Sequence, residues 1–265
     1  MDTHFSTNDY FRHPVEACGT PWVDESMALS RGQNPSLRKA LPTSGWLLGL
    51  NGVHMGEDLR LYPGTNTIGS SARCHVVVTA PETGRQHAVI DVVSGESAIL
   101  QPGSTHRPLF LNGEPCEKAS PLCHGDVIQI GEQLFAYIPL LPVPSTTKQA
   151  IVFNERPTVN TPCTVGWLFE LNGRSQGRDF RLFLGNNVIG NQPGVEVLLP
   201  DEQINPRHCI ITRHTENWTI VPVAVTDVLH VNGVPTSGTG LENGDIIKVG
   251  TCEFMFRCVK VAFAK

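Results

Sequence analysis

Two clusters of residues in this chain have the types and spacing to do chemistry. The first comprises Ser70, Arg73, Thr83, Gly84, Arg85, Ser104, Thr105 and His106. The second comprises Asn191, Asn205, Arg207, Thr226 and Asp227. Hydroxyl, amide and guanidinium groups in short turns are the groups that hold an anion or the backbone of a peptide. Catalysis needs a different set. A nucleophile needs a base within reach, and the chain has no G-x-S-x-G, H-E-x-x-H, P-loop or Rossmann fingerprint in its strand–helix context. Of the ten histidines, only His87 and His208 recur at corresponding positions. His54, His75, His106, His124, His214 and His230 stand singly and read as isolated surface side chains. Cys116, Cys123 and His124 lie near one another in sequence, but their spacing is not a zinc-ligand pattern. The expectation is therefore a binding protein: no catalytic residue, no metal and no cofactor.

The two clusters sit in two copies of one sequence. GWLLGLNGVHMGEDLRLYPGTNTIG, from Gly45 to Gly69, returns as GWLFELNGRSQGRDFRLFLGNNVIG, from Gly166 to Gly190. Fourteen of 25 aligned positions are identical at an offset of 121 residues. The echo continues downstream. Arg85 and His87 return as Arg207 and His208, Asn112-Gly113 as Asn232-Gly233, and Gly125-Asp126 as Gly244-Asp245. An offset of that size is a small domain, not the unit of a solenoid or propeller.

Composition narrows the partner. The net charge is −5, which disfavours nucleic acid and anionic lipid. No apolar run approaches the ~18 residues that span a membrane, so direct insertion is not expected. The first 25 residues lack the apolar stretch of a signal peptide. The eight cysteines form no CxxC pair and read as free thiols of a reducing compartment, with Cys252 and Cys258 on the side of Phe254 and Phe256, alternating with Glu253 and Arg257. The expected location is cytoplasmic.

The elements that must position the clusters are strands. WLLGL, LRLY, HAVIDVV and DVIQIG in the first copy, and WLFEL, FRLFL, HCIITR and DIIKVG in the second, are short β-rich runs between Gly, Pro and Asn turns. The fold class is all-β, two tandem sandwiches. The expected boundaries are a mostly disordered polar arm over 1–44 (with a short helix near 25–31), a first domain over 45–141, a Pro-rich linker over 142–165 and a second domain over 166–265. Asn112-Gly113 and Asn232-Gly233 are type I′ turn dipeptides. The Asp of each Gly-Asp pair is placed to bond nearby backbone N–H groups.

Four landmarks thus recur in order: Ile-Gly ending a strand, Arg-x-His or Arg-His opening the next, Asn-Gly in a hairpin, and Gly-Asp before the last strands. Together they resemble the forkhead-associated (FHA) domain, over about 44–140 and 166–260. The resemblance implies an 11-strand sandwich whose loops hold a phosphothreonine peptide. It implies that an Arg after Ile-Gly and a Ser three before the His hold peptide and phosphate, and that a later Asn holds the peptide backbone. It also implies that His87 and His208, with Asn112 and Asn232, brace the loops.

Both copies depart from that pattern. Ser70 and Asn191 stand where the Arg is expected, Gly84 and Asn205 where the Ser is expected, and His106 and Asp227 where the later Asn is expected. Thr83 offers a hydroxyl one residue early, and Arg73 and Arg85 remain nearby. A hydrogen bond to a charged group is worth roughly 1.5–3 kcal/mol. Losing Arg and Ser together removes about 3–6 kcal/mol, a factor of ~10² to ~10⁴ in affinity. The reading is a non-enzymatic adaptor or scaffold that binds one or more proteins, largely without phosphate, with a secretion apparatus as one setting by analogy. The alternative is a phosphothreonine reader through the first copy in a Ser/Thr kinase pathway.

Overall fold

The computed structural model describes residues 43–93, 97–105, 107–141, 151–153, 163–173, 176–214, 217–226 and 228–263. The polar arm before Thr43 and the helix expected within it lie outside the described residues, as do His106 and Asp227.

The first copy forms eleven strands: β1 (Gly45–Gly49), β2 (Asp58–Leu61), β3 (Gly64–Gly69), β4 (Val76–Val77), β5 (Ala88–Val92), β6 (Ala98–Pro102), β7 (Leu109–Leu111), β8 (Glu114–Pro115), β9 (Ser120–Leu122), β10 (Val127–Ile130) and β11 (Gln133–Pro139). They make two sheets, ordered β2-β1-β11-β10-β7-β8 and β4-β3-β5-β6-β9. A linker strand, β12 (Ile151–Phe153), follows. The second copy repeats the eleven as β13 (Thr164–Glu170), β14 (Asp179–Phe183), β15 (Gly185–Gly190), β16 (Val197–Leu198), β17 (Cys209–Arg213), β18 (Trp218–Pro222), β19 (Leu229–Val231), β20 (Val234–Pro235), β21 (Thr239–Leu241), β22 (Ile246–Val249) and β23 (Cys252–Cys258). Its sheets are ordered β14-β13-β23-β22-β19-β20 and β16-β15-β17-β18-β21, the same topology. A last strand, β24 (Val261–Phe263), pairs in parallel with β12. The protein is thus two β-sandwiches.

Alternation builds each core. In β5, Ala88, Ile90 and Val92 are buried while Val89 and Asp91 are part-exposed. The turn between β2 and β3 is closed by a buried asparagine: Asn66 accepts from the Tyr62 N–H and donates to the Tyr62, Gly64 and Ile90 carbonyls. Asn187 repeats the arrangement with Phe183, Gly185 and Ile211. At the hairpins, Asn112 and Asn232 have φ of 54° and 52°, and Gly113 and Gly233 have 84° and 78°. Both central residues are left-handed, as a type I′ turn requires. The Asn and the Gly-Asp motif hold each other. Asn112 donates to Asp126 Oδ1 at 2.9 Å and accepts from Val127 N–H, while Asp126 Oδ2 accepts from Cys123 N–H at 2.7 Å. Asn232 and Asp245 make the same three bonds.

Two neighbouring strands in each copy, β1 with β11 and β13 with β23, are buried on both faces. In β1, Leu47 joins Phe135 and Tyr137 inside its own sandwich. Its neighbours Trp46, Leu48 and Leu50 join Ala136 and Ile138 in a cluster shared with the second copy. The sandwiches therefore pack on each other through the β1–β2 face and the β13–β14 face. Trp46 and Trp167 stack with ring centroids 4.6 Å apart and planes within 15°.

Several expectations need correction. The first strand of the second copy begins at Thr164, inside the span assigned to linker, and that span also contains β12, whose Ile151 and Phe153 are buried. Arg257, whose surroundings the alternation leaves open, lies on the far side of β23 from Phe256. It is 1% exposed because that far side is the packed interface. His54 is buried: its Nδ1 lies 2.8 Å from Glu57 and its Nε2 accepts from Thr79 N–H. His75 is tied to Thr67. The free thiols are mostly buried, but Cys123 is exposed.

Candidate functional site

In the first copy three loops meet at one end of the sandwich. The loop after β3 is stitched to the loop before β5 by Ser70 N–H to the Gly84 carbonyl and Ser71 N–H to the Arg85 carbonyl. The Cys74 thiol also reaches the Arg85 carbonyl, at 3.2 Å. The loop after β6 joins them through Gly103 N–H to the His87 carbonyl and the Thr105 hydroxyl to the Gln86 carbonyl. His87 lies buried beneath. Its Nδ1 accepts from Gly84 N–H at 3.0 Å, which leaves the proton on Nε2 to donate to the Pro108 carbonyl at 2.9 Å. Burial is the main cause that holds this imidazole below its ordinary pKa, so it is neutral near pH 7.

Close approach explains the glycine at position 84. A Cβ built there would lie 2.1 Å from Thr105 Oγ1 and 3.2 Å from Arg107 Cγ. The Thr105 side chain and the Arg107 stem fill the space that a serine would use. Gly84 and Thr105 are therefore a matched pair. Thr83 does not present its hydroxyl at the surface, because Oγ1 is buried. Ser70 and Ser104 are exposed, and so are Arg73, Arg85 and Arg107. No ion pair to these three arginines occurs among the described residues. Sequence reasoning missed Arg107. Its signal was a third basic side chain within a few residues of the Ser104-Thr105 pair.

The second copy keeps the frame with a different surface. Asn205 N–H reaches His208 Nδ1 at 3.3 Å, and His208 Nε2 lies 3.3 Å from the Val228 carbonyl. Asn191 N–H bonds the Asn205 carbonyl, and its side chain donates to the Asp201 carbonyl. The loop after β18 is anchored at its start by Val223 N–H to the His208 carbonyl. Between these anchors it is apolar and exposed: Val223 at 48%, Val225 at 104% and Val228 at 62%, with Thr226 also exposed. Glu202 and Arg207 are exposed on the loop that His208 ends. Asp201 is committed internally, accepting from the Gln203 N–H and the Thr251 hydroxyl. The first loop end is thus polar and cationic, the second apolar with mixed charge.

A buried network joins the copies away from both loop ends. Arg60 Nε lies 2.8 and 3.0 Å from the two oxygens of Asp179. Trp46 Nε1 and the Thr43 hydroxyl donate to the same carboxylate. In return Arg181 pairs with Asp58, and Trp167 Nε1 donates to Asp58 Oδ2 at 2.8 Å. Trp46, Asp58 and Arg60 correspond to Trp167, Asp179 and Arg181 at the repeat offset of 121. Burial raises the Asp58 carboxyl above its ordinary pKa, against the pull of Arg181 and Arg60. At Asp179 burial pushes the same way, but Arg60 and the Thr43 hydrogen bond outweigh it and hold that carboxyl below 3.8. Asp179 has the extra Thr43 donor and an Arg60 Nε shared between both its oxygens, where Asp58 has the ion pair to Arg181 and the Trp167 donor.

Two sandwiches of one topology, each with three loops braced by a buried histidine, define a class of β-sandwich interaction modules. Residues 66–131 match the FHA domain model, and residues 170–260 match the model described as "Inner membrane component of T3SS, cytoplasmic domain" (Yop-YscD). The chain thus carries an FHA domain match in its first copy and an FHA-like, YscD-type match in its second. A curated relative, the oxoglutarate dehydrogenase inhibitor of Corynebacterium jeikeium (strain K411), is 27% identical over 84 residues. That stretch is 32% of this chain and 58% of the relative, so little more than half of the relative is spanned. An FHA domain solved in a study of phosphothreonine-dependent FHA interactions is 29% identical, covering 36% of this chain and 96% of its own, at a TM-score of 0.33. The cytoplasmic domain of PscD, a T3SS sorting platform protein of P. aeruginosa, is 19% identical, covering 38% and 85%, at a TM-score of 0.33. FHA domains mediate protein–protein interaction. Among the described residues, no helix is long and apolar enough to cross a membrane.

Proposed function

We propose that the chain is a non-enzymatic adaptor whose two FHA-type loop ends bind different protein surfaces, the second without phosphate. The carrying observation is the loop after β18, where Val223, Val225 and Val228 stand exposed in place of donors for an anion. Exposed apolar side chains gathered in one loop mark a contact surface. A cytoplasmic setting and a place in a secretion-type assembly agree with the Yop-YscD match over 170–260. The test is capture of partners by the intact chain with and without phosphatase, alongside the Val225→Asp variant. Partners held through the second domain survive phosphatase and are lost with Val225→Asp. Loss of every partner on phosphatase treatment overturns the reading.

One observation favours a second reading for the first domain. Arg73, Arg85 and Arg107 are exposed on the three loops that meet at Gly84–His87, and a phosphate group pairs well with clustered guanidinium groups. A phosphothreonine peptide then binds the first loop end despite the absence of an Arg after Gly69. Arg85→Ala and Arg107→Ala each weaken that binding about tenfold, the loss of about one charged hydrogen bond. Calorimetry with phosphorylated and unphosphorylated peptide decides it: equal affinity for the two peptides removes this reading.

A further inference from the structure

The face that joins the copies has a property the loop ends lack: it is self-complementary. Trp46 bonds Asp179 and Trp167 bonds Asp58; Arg60 pairs with Asp179 and Arg181 with Asp58. Within this Trp–Asp–Arg set each pairing i to j is returned as the equivalent j to i, and the two tryptophans that correspond to each other touch each other. That reciprocity is the signature of an isologous interface, here between two domains of one chain. Neither face is complete alone. The hydrogen bonds of Trp46, Arg60 and Thr43 to Asp179, and of Trp167 to Asp58, all cross from one copy to the other, Thr43 reaching over from the segment leading into β1. A lone domain leaves a tryptophan, the apolar row beside it and an Asp–Arg pair without their partners.

We propose that this Trp–Asp–Arg face is a homotypic docking surface, that its partner is a second FHA-type domain carrying the same three side chains, and that this chain uses it on itself to make one two-headed body. Two aspartates and two arginines balance in charge. The same triplet stands on each face, so nothing in the contact depends on the covalent link. The loop ends, made of other residues, stay free for partners. Because the heads are held together, a partner with two determinants meets the second at a fixed, high local concentration.

The test cuts the link and asks whether the contact survives. A protease site is placed between Leu141 and Ile151 of the full chain, which leaves β12 with its partner β24. The folded protein is cut and run on size exclusion with light scattering. The expected result is that the halves co-elute at the mass of the uncut chain. Arg60→Asp sets three carboxylates together and raises the dissociation constant of the cut pair by about 100-fold or more. The double variant Arg60→Asp/Asp179→Arg exchanges the charges and restores co-elution, which a variant that merely fails to fold does not do. Halves that separate in the cut parent protein overturn the proposal, and so does co-elution that Arg60→Asp leaves unchanged. Neither outcome depends on what binds the loop ends.

Discussion

Arg257 is the residue that breaks the symmetry between the copies. In the first copy Trp46 faces Ile138 across β1 and β11; in the second, Trp167 faces Arg257 across β13 and β23. The guanidinium donates from Nη2 to the Pro139 carbonyl at 2.8 Å, while Nε and Nη1 are buried with no hydrogen-bond partner among the described residues. Burial pushes its pKa down to about 10. A buried cation without a paired anion costs more than one hydrogen bond returns. Arg257→Met keeps the bulk and removes the charge, so it is expected to stabilise the fold by about 1 kcal/mol. A lower midpoint in urea than the parent protein contradicts this. In the sequence, strand alternation says only that Arg257 opposes Phe256, not what covers that side.

At the scale of the element, the turns were the most legible part. Asn112 holds a left-handed φ of 54° and joins the Asp126 carboxylate to the Val127 N–H. Asn112→Ala removes both bonds and leaves a Cβ residue at positive φ, a cost of about 2 kcal/mol. The loss should appear in urea unfolding, and an unchanged midpoint refutes it. Asn-Gly and Gly-Asp could be read because their physics is local: one dipeptide, one φ, one neighbouring strand. The strand β1 could be read only in part. GWLLG is apolar at every position because Leu47 faces one core while Trp46 and Leu48 face another. A continuous apolar run in an antiparallel sheet signals two covered faces, and WLLGL carries that signal throughout. The orientation of the loop residues was not legible. Nothing in the order of residues says that Thr105 fills the space beside Gly84 while the Thr83 hydroxyl turns inward.

For the whole molecule, the buried quartet of Asp58, Arg60, Asp179 and Arg181 sets how the protein answers to acid. The Asp179 carboxyl is held below its ordinary value of 3.8. The stability this confers is present above pH 3.8 and is lost as pH falls through the lower folded value. Asp58 has the opposite sign: its raised pKa favours the folded state where it is protonated and costs stability as pH rises past 3.8 toward the folded value. At neutral pH, Asp179→Asn should cost about 3 kcal/mol, the low end for a broken buried pair, since Arg60 keeps a quarter of its side chain in water. That gap should shrink as pH drops below 3.8, measured by urea unfolding across the pH series. A constant gap means that Asp179 is not the charge the interface depends on.

The reciprocal contacts also bear on how such a chain changes over generations. A substitution at Asp58 is felt first by Arg181 and Trp167, residues of the other copy, and one at Asp179 by Arg60 and Trp46. The two halves are bound to keep the same alphabet on this face, each acting as the template against which the other is checked. No such check reaches the loop ends, where Ser70 faces Asn191 in the alignment and Gly84 faces Asn205. The stretch in which 14 of 25 residues coincide carries the facing tryptophans, aspartates and arginines. Duplication here has left one surface that must be inherited in pairs and two that are free to diverge.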